Sequence, residues 1–250
     1  MTGPTTAGAS TANATTAGEI WAEFWSRDHS IYVNARHLAA HYQRIGRDVI
    51  ALLAGRKQPR VLDYGCGDAL AAPLLVDAGV ELQLYDAVPA VAERLRRRFA
   101  PVASLRILSD SAFQTLPDAG LDVILMNSVA QYLSPVELGA LLDRFGRLLA
   151  PGGEIVLGDI IPPDAGMAAD VGSLLRSAAE NGFLLAALWG LVRTVFSDYS
   201  RLRRQVGLTT YRESEIVALC ADHGFKAVRA ARNIGFNQSR MTIRATRGAV

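Results

Sequence analysis

The sequence predicts an α/β protein built on a doubly wound, mostly parallel β-sheet. The first observation is a short apolar run that ends in Asp63 and passes through a glycine turn into a helix-like stretch. The second is that strand-like and helix-like segments alternate along the chain, which is typical of a parallel sheet. The third is size: 250 residues, 50% of them hydrophobic, can bury one sizeable core and leave little room for two.

Seven segments have the pattern of strands, with apolar or alternating residues and a polar residue or glycine near each end. They are 61–63, 80–86, 104–108, 121–129, 154–157, 225–231 and 241–245, and the range 121–129 includes the residues that directly follow the fourth strand. Helical spacing of apolar residues predicts helices over 19–27, 34–54, 71–78 and 211–223.

The turn after the first strand discriminates between two kinds of nucleotide ligand. A dinucleotide-binding turn would have its third glycine at position 70, where this chain has Leu70. Asp63 stands two positions before the first glycine, and its carboxylate would repel a pyrophosphate and attract a cation. We expect free backbone N–H groups and a positive helix end to face the ligand. The turn therefore favours a positively charged nucleoside.

The pattern Asp63-x-Gly65-x-Gly67 resembles motif I of the class I S-adenosylmethionine (SAM)-dependent methyltransferases. Ala69 departs from the third glycine that is usual in that family. The resemblance continues in the same order over residues 58–161 and includes a Pro-Gly-Gly turn at 151–153 before the fifth strand. It implies SAM as the cofactor and a seven-stranded, mostly parallel sheet with an antiparallel last strand.

The resemblance also implies contacts to the cofactor at the strand ends. Asp86 lies about 20 residues beyond Asp63 and matches the acid that binds the ribose hydroxyls. Asp110 matches the acid that accepts a hydrogen bond from the adenine amino group, although its neighbours are also ordinary turn residues. The full set of predicted cofactor-binding residues is Asp63, Gly65, Cys66, Gly67, Asp86, Ala87, Asp110, Ser111, Asn127 and Ser128. The Cys66 thiol is assigned no chemistry.

Three residues are candidates for the catalytic step. Methyl transfer from a sulfonium is an in-line displacement that needs alignment, and a base helps when the acceptor must lose a proton. His37 is one candidate, because histidine as a residue type has an unperturbed pKa of about 6.5, close to neutral pH. Tyr132 and Asp159 lie just beyond strand ends on the ligand side. The segment 232–240 is either a second contributor to the acceptor pocket or a solvated polar loop.

A single domain is expected over residues 19–250, after a disordered tail at 1–18. Residues 19–55 are expected to form cap helices over the site, and residues 164–208 a helical lid inserted after the fifth strand. Within this lid, residues 183–192 are uncharged and mostly apolar, and are too few to span a bilayer. Three interpretations of residues 183–192 stay open. They are a helix packed on its own core, a homodimer surface and a helix in peripheral contact with a membrane.

Composition and missing motifs narrow the function. A net charge of +2 is too small to argue for a nucleic-acid groove. Cys66 and Cys220 have neither metal-ligand nor disulfide spacing, so we expect no metal. Two cysteines without a disulfide framework are typical of proteins in the reducing cytoplasm, where we expect this chain. Residues 127–130 lack the Asn/Asp-Pro-Pro-aromatic motif of amide methyltransferases. We expect O- or N-methylation of a small organic, hydrophobic or lipid-like acceptor. The alternatives are a protein or RNA methyltransferase and a non-catalytic SAM-binding module.

Overall fold

The computed structural model describes residues 17–26, 35–99, 103–165 and 205–248. The helices are α1 (Ala17–Ser26), α2 (Ala35–Leu52), α3 (Ala72–Asp77), α4 (Pro89–Arg98), α5 (Asp110–Gln114), a 3₁₀ helix (Ala130–Tyr132), α6 (Pro135–Leu148) and α7 (Glu213–Asp222). The strands are β1 (Arg60–Tyr64), β2 (Glu81–Tyr85), β3 (Leu105–Ile107), β4 (Leu121–Asn127), β5 (Leu149–Ile160), β6 (Phe225–Arg229) and β7 (Met241–Arg247).

Two predicted segments fall largely outside these ranges. Residues 1–16 of the predicted tail are not described, and α1 begins at Ala17, inside the boundary predicted for the tail. Most of the predicted lid at 164–208 also lies outside the described residues, including all of 183–192. The lid, homodimer and membrane-contact hypotheses therefore stay predictions. Within the described part of the chain, no helix is both long enough and apolar enough to cross a membrane.

The seven strands form one sheet in the order β3-β2-β1-β4-β5-β7-β6. The strands from β3 to β5 run parallel, and β7 runs antiparallel to both β5 and β6. The predicted sheet with its antiparallel last strand is therefore confirmed. The chain builds outward from β1 to β3 and then returns to place β4 on the other side of β1. This makes a topological switch point between β1 and β4, where open parallel sheets bind ligands beyond their carboxyl ends.

Helices cover both faces of the sheet because successive side chains of each strand point to opposite faces. Val61 joins one hydrophobic cluster and its neighbour Leu62 joins the other. Helices α2, α3 and α4 contribute to the cluster with Val61, whereas α5, α6 and α7 contribute to the cluster with Leu62. The result is a three-layer α/β/α arrangement that leaves the carboxyl edge of the sheet for a ligand.

The Pro-Gly-Gly segment at 151–153 is an irregularity within β5, and the prediction of a turn before a separate strand is wrong. β5 already pairs with β4 at Leu149, and the register between the two strands shifts before pairing resumes. Gly152 has a φ of +75°, and a Cβ on Gly153 would lie 3.1 Å from the carbonyl oxygen of Leu121. The two glycines therefore allow a bulge that a longer side chain would obstruct.

Helix α1 contacts the 3₁₀ helix after β4 and helix α4. Its buried Trp21 packs its ring 4.9 Å from that of Tyr132 and donates its Nε1–H to the carbonyl of Gly207 at 3.3 Å. At the other end of α1, Arg94 of α4 donates to the carbonyl of Ser26 at 3.4 Å. These contacts place α1 beside the carboxyl edge of the sheet.

Candidate active site

The first three residues of the turn after β1 use their backbone N–H groups within the protein. Those of Gly65 and Cys66 donate to the carbonyl oxygen of Tyr85, at 2.8 and 3.2 Å. That of Gly67 donates to Oδ2 of Asp86 at 3.0 Å. The prediction of free N–H groups is therefore wrong for residues 65–67. A carboxylate already occupies a donor that a phosphate would need, so the turn is poorly suited to a pyrophosphate.

Alternate residues of this turn adopt left-handed backbone conformations. Gly65, Gly67 and Ala69 have φ values of +72°, +53° and +46°. This conformation costs a residue with a Cβ roughly 1–2 kcal/mol. That cost explains why the third position of the family pattern is usually glycine, whereas this chain has Ala69. A Cβ on Gly65 would also lie 2.5 Å from Cγ2 of Val129, so the turn approaches the exit of β4 closely.

Two carboxyl groups stand at the ends of the adjacent strands β1 and β2. Asp63 retains some solvent contact but is crowded by protein atoms, and burial together with the charge of Asp86 raises its pKa to about 7. Burial also raises the pKa of Asp86, although its carboxylate accepts from the N–H groups of Gly67 and Val88 at 3.0 and 2.9 Å. A bound cation would stabilise both carboxylates and lower their pKa values. The pair is thus suited to a positively charged ligand.

Asp110 lies one strand further along the same edge, at the start of α5. Its Oδ1 accepts a hydrogen bond of 2.9 Å from the hydroxyl of Tyr85. Ser109 caps α5, since its side chain accepts from the N–H of Ala112 at 3.1 Å. The Oγ atoms of Ser109 and Ser111 lie 3.0 Å apart. Ser109 therefore has an ordinary capping role, Asp110 presents a carboxyl group at the edge, and the contact of Ser111 with the cofactor stays a prediction.

The ends of β4 and β5 meet beside the glycine turn. Asn127 pairs with Gly158 in the sheet register. Its Oδ1 is buried without a hydrogen-bond partner among the described residues, and its Nδ2 lies 3.3 Å from the Oγ of Ser128. Ser128 and Asp159 have φ values of +59° and +60°, and the Ser128 hydroxyl donates to Oδ2 of Asp159 at 2.8 Å. Unusual backbone conformations of this kind cluster at functional sites.

The three candidate catalytic residues are placed differently. His37 lies in α2, but its side chain is outside the described residues. Tyr132 ends the 3₁₀ helix after β4 and packs against Trp21. Asp159 accepts hydrogen bonds from Ser128, from Nδ2 of Asn233 at 3.3 Å and from Nη1 of Arg240 at 2.8 Å. Burial raises the pKa of Asp159, and Arg240 opposes that effect most strongly.

Sequence reasoning missed Asn233 and Arg240 as individual members of this site. The signal was the density of hydrogen-bonding side chains in 232–240, which did not indicate their partners. The Cys66 thiol has a raised pKa, because of burial and the nearby charge of Asp63, and remains without assigned chemistry. Within the described ranges, no cluster of three His, Cys, Asp or Glu residues could hold a metal ion.

The strand order and the acids at the strand ends define a Rossmann-like α/β protein of the class I methyltransferase type. Residues 35–230 match the family described as "Methyltransferase domain", and the chain belongs to this family of SAM-dependent methyltransferases.

The comparisons with individual proteins agree. The chain is 30% identical over 103 residues to an uncharacterized methyltransferase of Mycobacterium tuberculosis (strain ATCC 25618 / H37Rv), a match that covers 41% of this chain and 51% of the relative. The chain thus spans about half the length of that relative. The fold is similar to that of magnesium protoporphyrin IX methyltransferase from Synechocystis PCC 6803 with bound SAM, with a TM-score of 0.60, 15% identity, and coverage of 95% of this chain and 100% of the other. It is also similar to human N-acetylserotonin methyltransferase in complex with SAM, with a TM-score of 0.54, 16% identity, and coverage of 82% and 52%. At these identities the two structures show the fold alone.

Proposed function

We propose that this chain transfers a methyl group from SAM to the oxygen or nitrogen of a small organic acceptor, apolar or lipid-like in character. The observation that carries the proposal is the pair Asp63 and Asp86 at the ends of adjacent strands, beside a turn whose first three N–H groups already have protein acceptors. A carboxyl group with a pKa of about 7 gains from a cationic partner, and SAM has an amino group and no phosphate. The family and its SAM-bound neighbours support the same cofactor.

In the proposed complex, each of the three acids binds a different part of the cofactor. Asp63 receives the amino group, and Asp110 accepts from the adenine amino group. Asp86 receives the ribose hydroxyls, because each carboxylate oxygen retains acceptor capacity after taking one N–H. The turn at 65–67 and Ala87 line the nucleoside, and the β4 exit at Asn127 and Ser128 lies toward the methyl group.

When bound, SAM supplies a methyl group on a sulfonium, which is already a good leaving group. The chain's task is to align the acceptor and exclude water, and alignment can contribute on the order of 7 kcal/mol. Asp159 already accepts from Arg240, so we assign it to holding the wall of the site and not to taking a proton. Tyr132, packed on Trp21, is proposed to line an apolar acceptor side. His37 is the proposed base for acceptors that must lose a proton.

The cofactor assignment is tested by calorimetric titration of the protein with SAM, its product S-adenosylhomocysteine (SAH) and NAD. SAM and SAH are expected to bind and NAD is not. Asp86→Ala is expected to weaken SAH binding about ten-fold or more, a loss of about 1.4 kcal/mol or more. Asp122→Asn is the matched control, because Asp122 lies at the opposite end of the sheet, paired with Arg60 at 2.9 Å. Tight NAD binding, or equal losses in both variants, would contradict the assignment.

The acceptor class is tested with SAM that carries a labelled methyl group. We expect label in small apolar alcohols, phenols or amines. The names of the two structural neighbours likewise print small organic compounds, N-acetylserotonin and magnesium protoporphyrin IX. Label in protein or RNA fractions would instead support the alternative methyltransferase, and SAH binding with no transfer to any fraction would support a non-catalytic module.

A further inference from the structure

Two arginine–carboxylate pairs join β5 to the segment that contains β7, at opposite ends of the sheet. In the middle of β5, beside Val123 near the amino end of β4, Glu154 accepts from Arg244 at 2.7 and 2.9 Å, within regular antiparallel pairing. Near the carboxyl end, Asp159 accepts from Arg240 at 2.8 Å, and both side chains are mostly buried, with 18% and 14% exposed. The two pairs share strands and chemistry but differ in their distance from the proposed cofactor site.

The second pair lies at a bulge. The register between β5 and β7 shifts between Leu157 and Ile160, and Asp159 in this interval has a φ of +60°. Across from it, Ser128 has a φ of +59° and donates to the Asp159 carboxylate at 2.8 Å. Left-handed conformations of residues with a Cβ persist only where the surroundings hold them.

The hairpin loop between β6 and β7 holds the bulged residue by backbone and side chain together. Oδ1 of the buried Asn233 accepts from the N–H of Asp159 at 3.1 Å and from the hydroxyl of Thr242 at 2.8 Å. Its Nδ2 donates to Oδ1 of Asp159 at 3.3 Å and to the carbonyl of Asn237 at 2.9 Å. The bulge takes the N–H of Asp159 out of the regular strand pairing, and Oδ1 of Asn233 accepts from it in place of a strand carbonyl.

The same loop is fixed on its other side by α2. The N–H of Gly235 donates to Oδ2 of Asp48 at 2.9 Å, and Arg44 binds the same carboxylate at 2.8 and 3.0 Å. The Arg44 guanidinium also lies 5.9 Å from the centre of the Phe236 ring. A loop fixed at both sides can transmit a constraint to the ends of β4 and β5.

We propose that Arg240 is a positioning residue for the cofactor site. By holding the Asp159 carboxylate, it keeps Ser128 in its left-handed conformation and keeps the Asn127–Ser128 step ready to receive the cofactor. This inference rests on the proposed function, since it places SAM at the end of β4. Without Arg240, the step populates relaxed conformations, and the apparent affinity falls with the fraction that remains competent to bind.

The test measures SAH affinity by calorimetric titration of the wild type, Arg240→Met and Arg240→Lys, with Arg244→Met as the matched control. Urea unfolding of each protein measures its stability. Arg240→Met is expected to weaken SAH binding about ten-fold, and Arg240→Lys to recover part of the loss. Arg244→Met is expected to lower the unfolding midpoint and to leave the SAH affinity within about two-fold, because its pair is remote from the site.

A second background tests whether Arg240 acts on the site through the conformation of Ser128. Glycine adopts left-handed conformations without the cost of a Cβ, so in Ser128→Gly the Arg240→Met change is expected to cost less than about three-fold in affinity. An equal loss in both backgrounds, or wild-type affinity in a folded Arg240→Met, would overturn the inference while SAH binding by the wild type keeps the proposed function. A wild type that does not bind SAH would overturn the proposed function first.

Discussion

Gly65 is the residue of the turn after β1 at which a side chain meets two separate obstacles. Its φ is +72°, and a Cβ there would lie 2.5 Å from Cγ2 of Val129. Gly55 has a φ of +88° with open space around its Cα, so it reports the backbone cost alone. We expect Gly55→Ala to lower the free energy of unfolding by about 1 kcal/mol and Gly65→Ala by about 2–4 kcal/mol, as measured by urea titration.

Adding Val129→Ala to Gly65→Ala separates the two obstacles. The double variant is expected to recover the steric part of the loss and to retain the backbone part, so that it approaches Gly55→Ala. Equal losses in Gly55→Ala and Gly65→Ala would show that the contact with Val129 is unimportant.

The residues of the site differ in how far the sequence could predict them. The acids Asp63 and Asp86 stand out locally, since each directly follows an apolar or alternating run. The expectation of free N–H groups failed for residues 65–67 because their acceptors lie at the end of another strand, and pairing between strands has no signature in the turn itself. Arg240 and Asp159 are 81 positions apart, so only the folded hairpin brings them together.

At the scale of elements, the pattern of apolar residues predicted the strands better than their ends. The prediction placed the start of the fifth strand after Pro-Gly-Gly at 151–153, because these residues usually mark turns. Pairing with β4 overrides that preference, and β5 begins at Leu149. The short helix α5 and the 3₁₀ helix at 130–132 were not predicted, since a single turn is too short to show a helical period.

Helix α1 buries two aromatic side chains, Trp21 and Phe24, and Trp21 is the more deeply buried. It has ten residues, and an isolated helix of that length is marginal in water, so tertiary contacts decide whether it forms. Trp21, with 2% of its surface exposed, supplies the ring contact with Tyr132 and the hydrogen bond to Gly207. Replacing a buried aromatic residue with alanine costs about 3–5 kcal/mol.

We therefore expect Trp21→Ala to release α1, with faster hydrogen exchange of its amides and faster dissociation of SAH. Trp21→Phe keeps most of the packing and loses one hydrogen bond, so its effect is expected to be about 1 kcal/mol. Hydrogen exchange followed by mass spectrometry measures the first effect and stopped-flow fluorescence the second. Unchanged exchange in Trp21→Ala would show that other contacts hold α1.

For the molecule as a whole, the acids at the strand ends make stability depend on pH. The pKa of Asp63 is about 7 in the fold, against about 3.9 in an unfolded chain, so the folded state holds its proton more tightly. The resulting contribution to stability is complete below about pH 4 and is lost as the pH rises through about 7. Asp86 and Asp159, whose pKa values are also raised, act in the same direction. Asp122 has a lowered pKa, so its contribution is present above the unfolded value and is lost only in acid.

Asp63→Asn is expected to remove the part of this dependence that Asp63 contributes, because its amide stays neutral at every pH in the range. Between about pH 5 and pH 8 the wild type should lose on the order of 2–4 kcal/mol from Asp63, whereas the variant should show a flatter profile and exceed the wild type in stability at the alkaline end. Urea unfolding across this range measures the slopes, and Asp122→Asn should keep the wild-type slope. SAH should stabilise the wild type more at the alkaline end, where its ammonium meets an ionised Asp63, and should stabilise Asp63→Asn little at any pH. A wild-type slope in Asp63→Asn would contradict the pKa on which the cation preference depends, because the buried charge that weakens the free protein is the charge that binds the ligand.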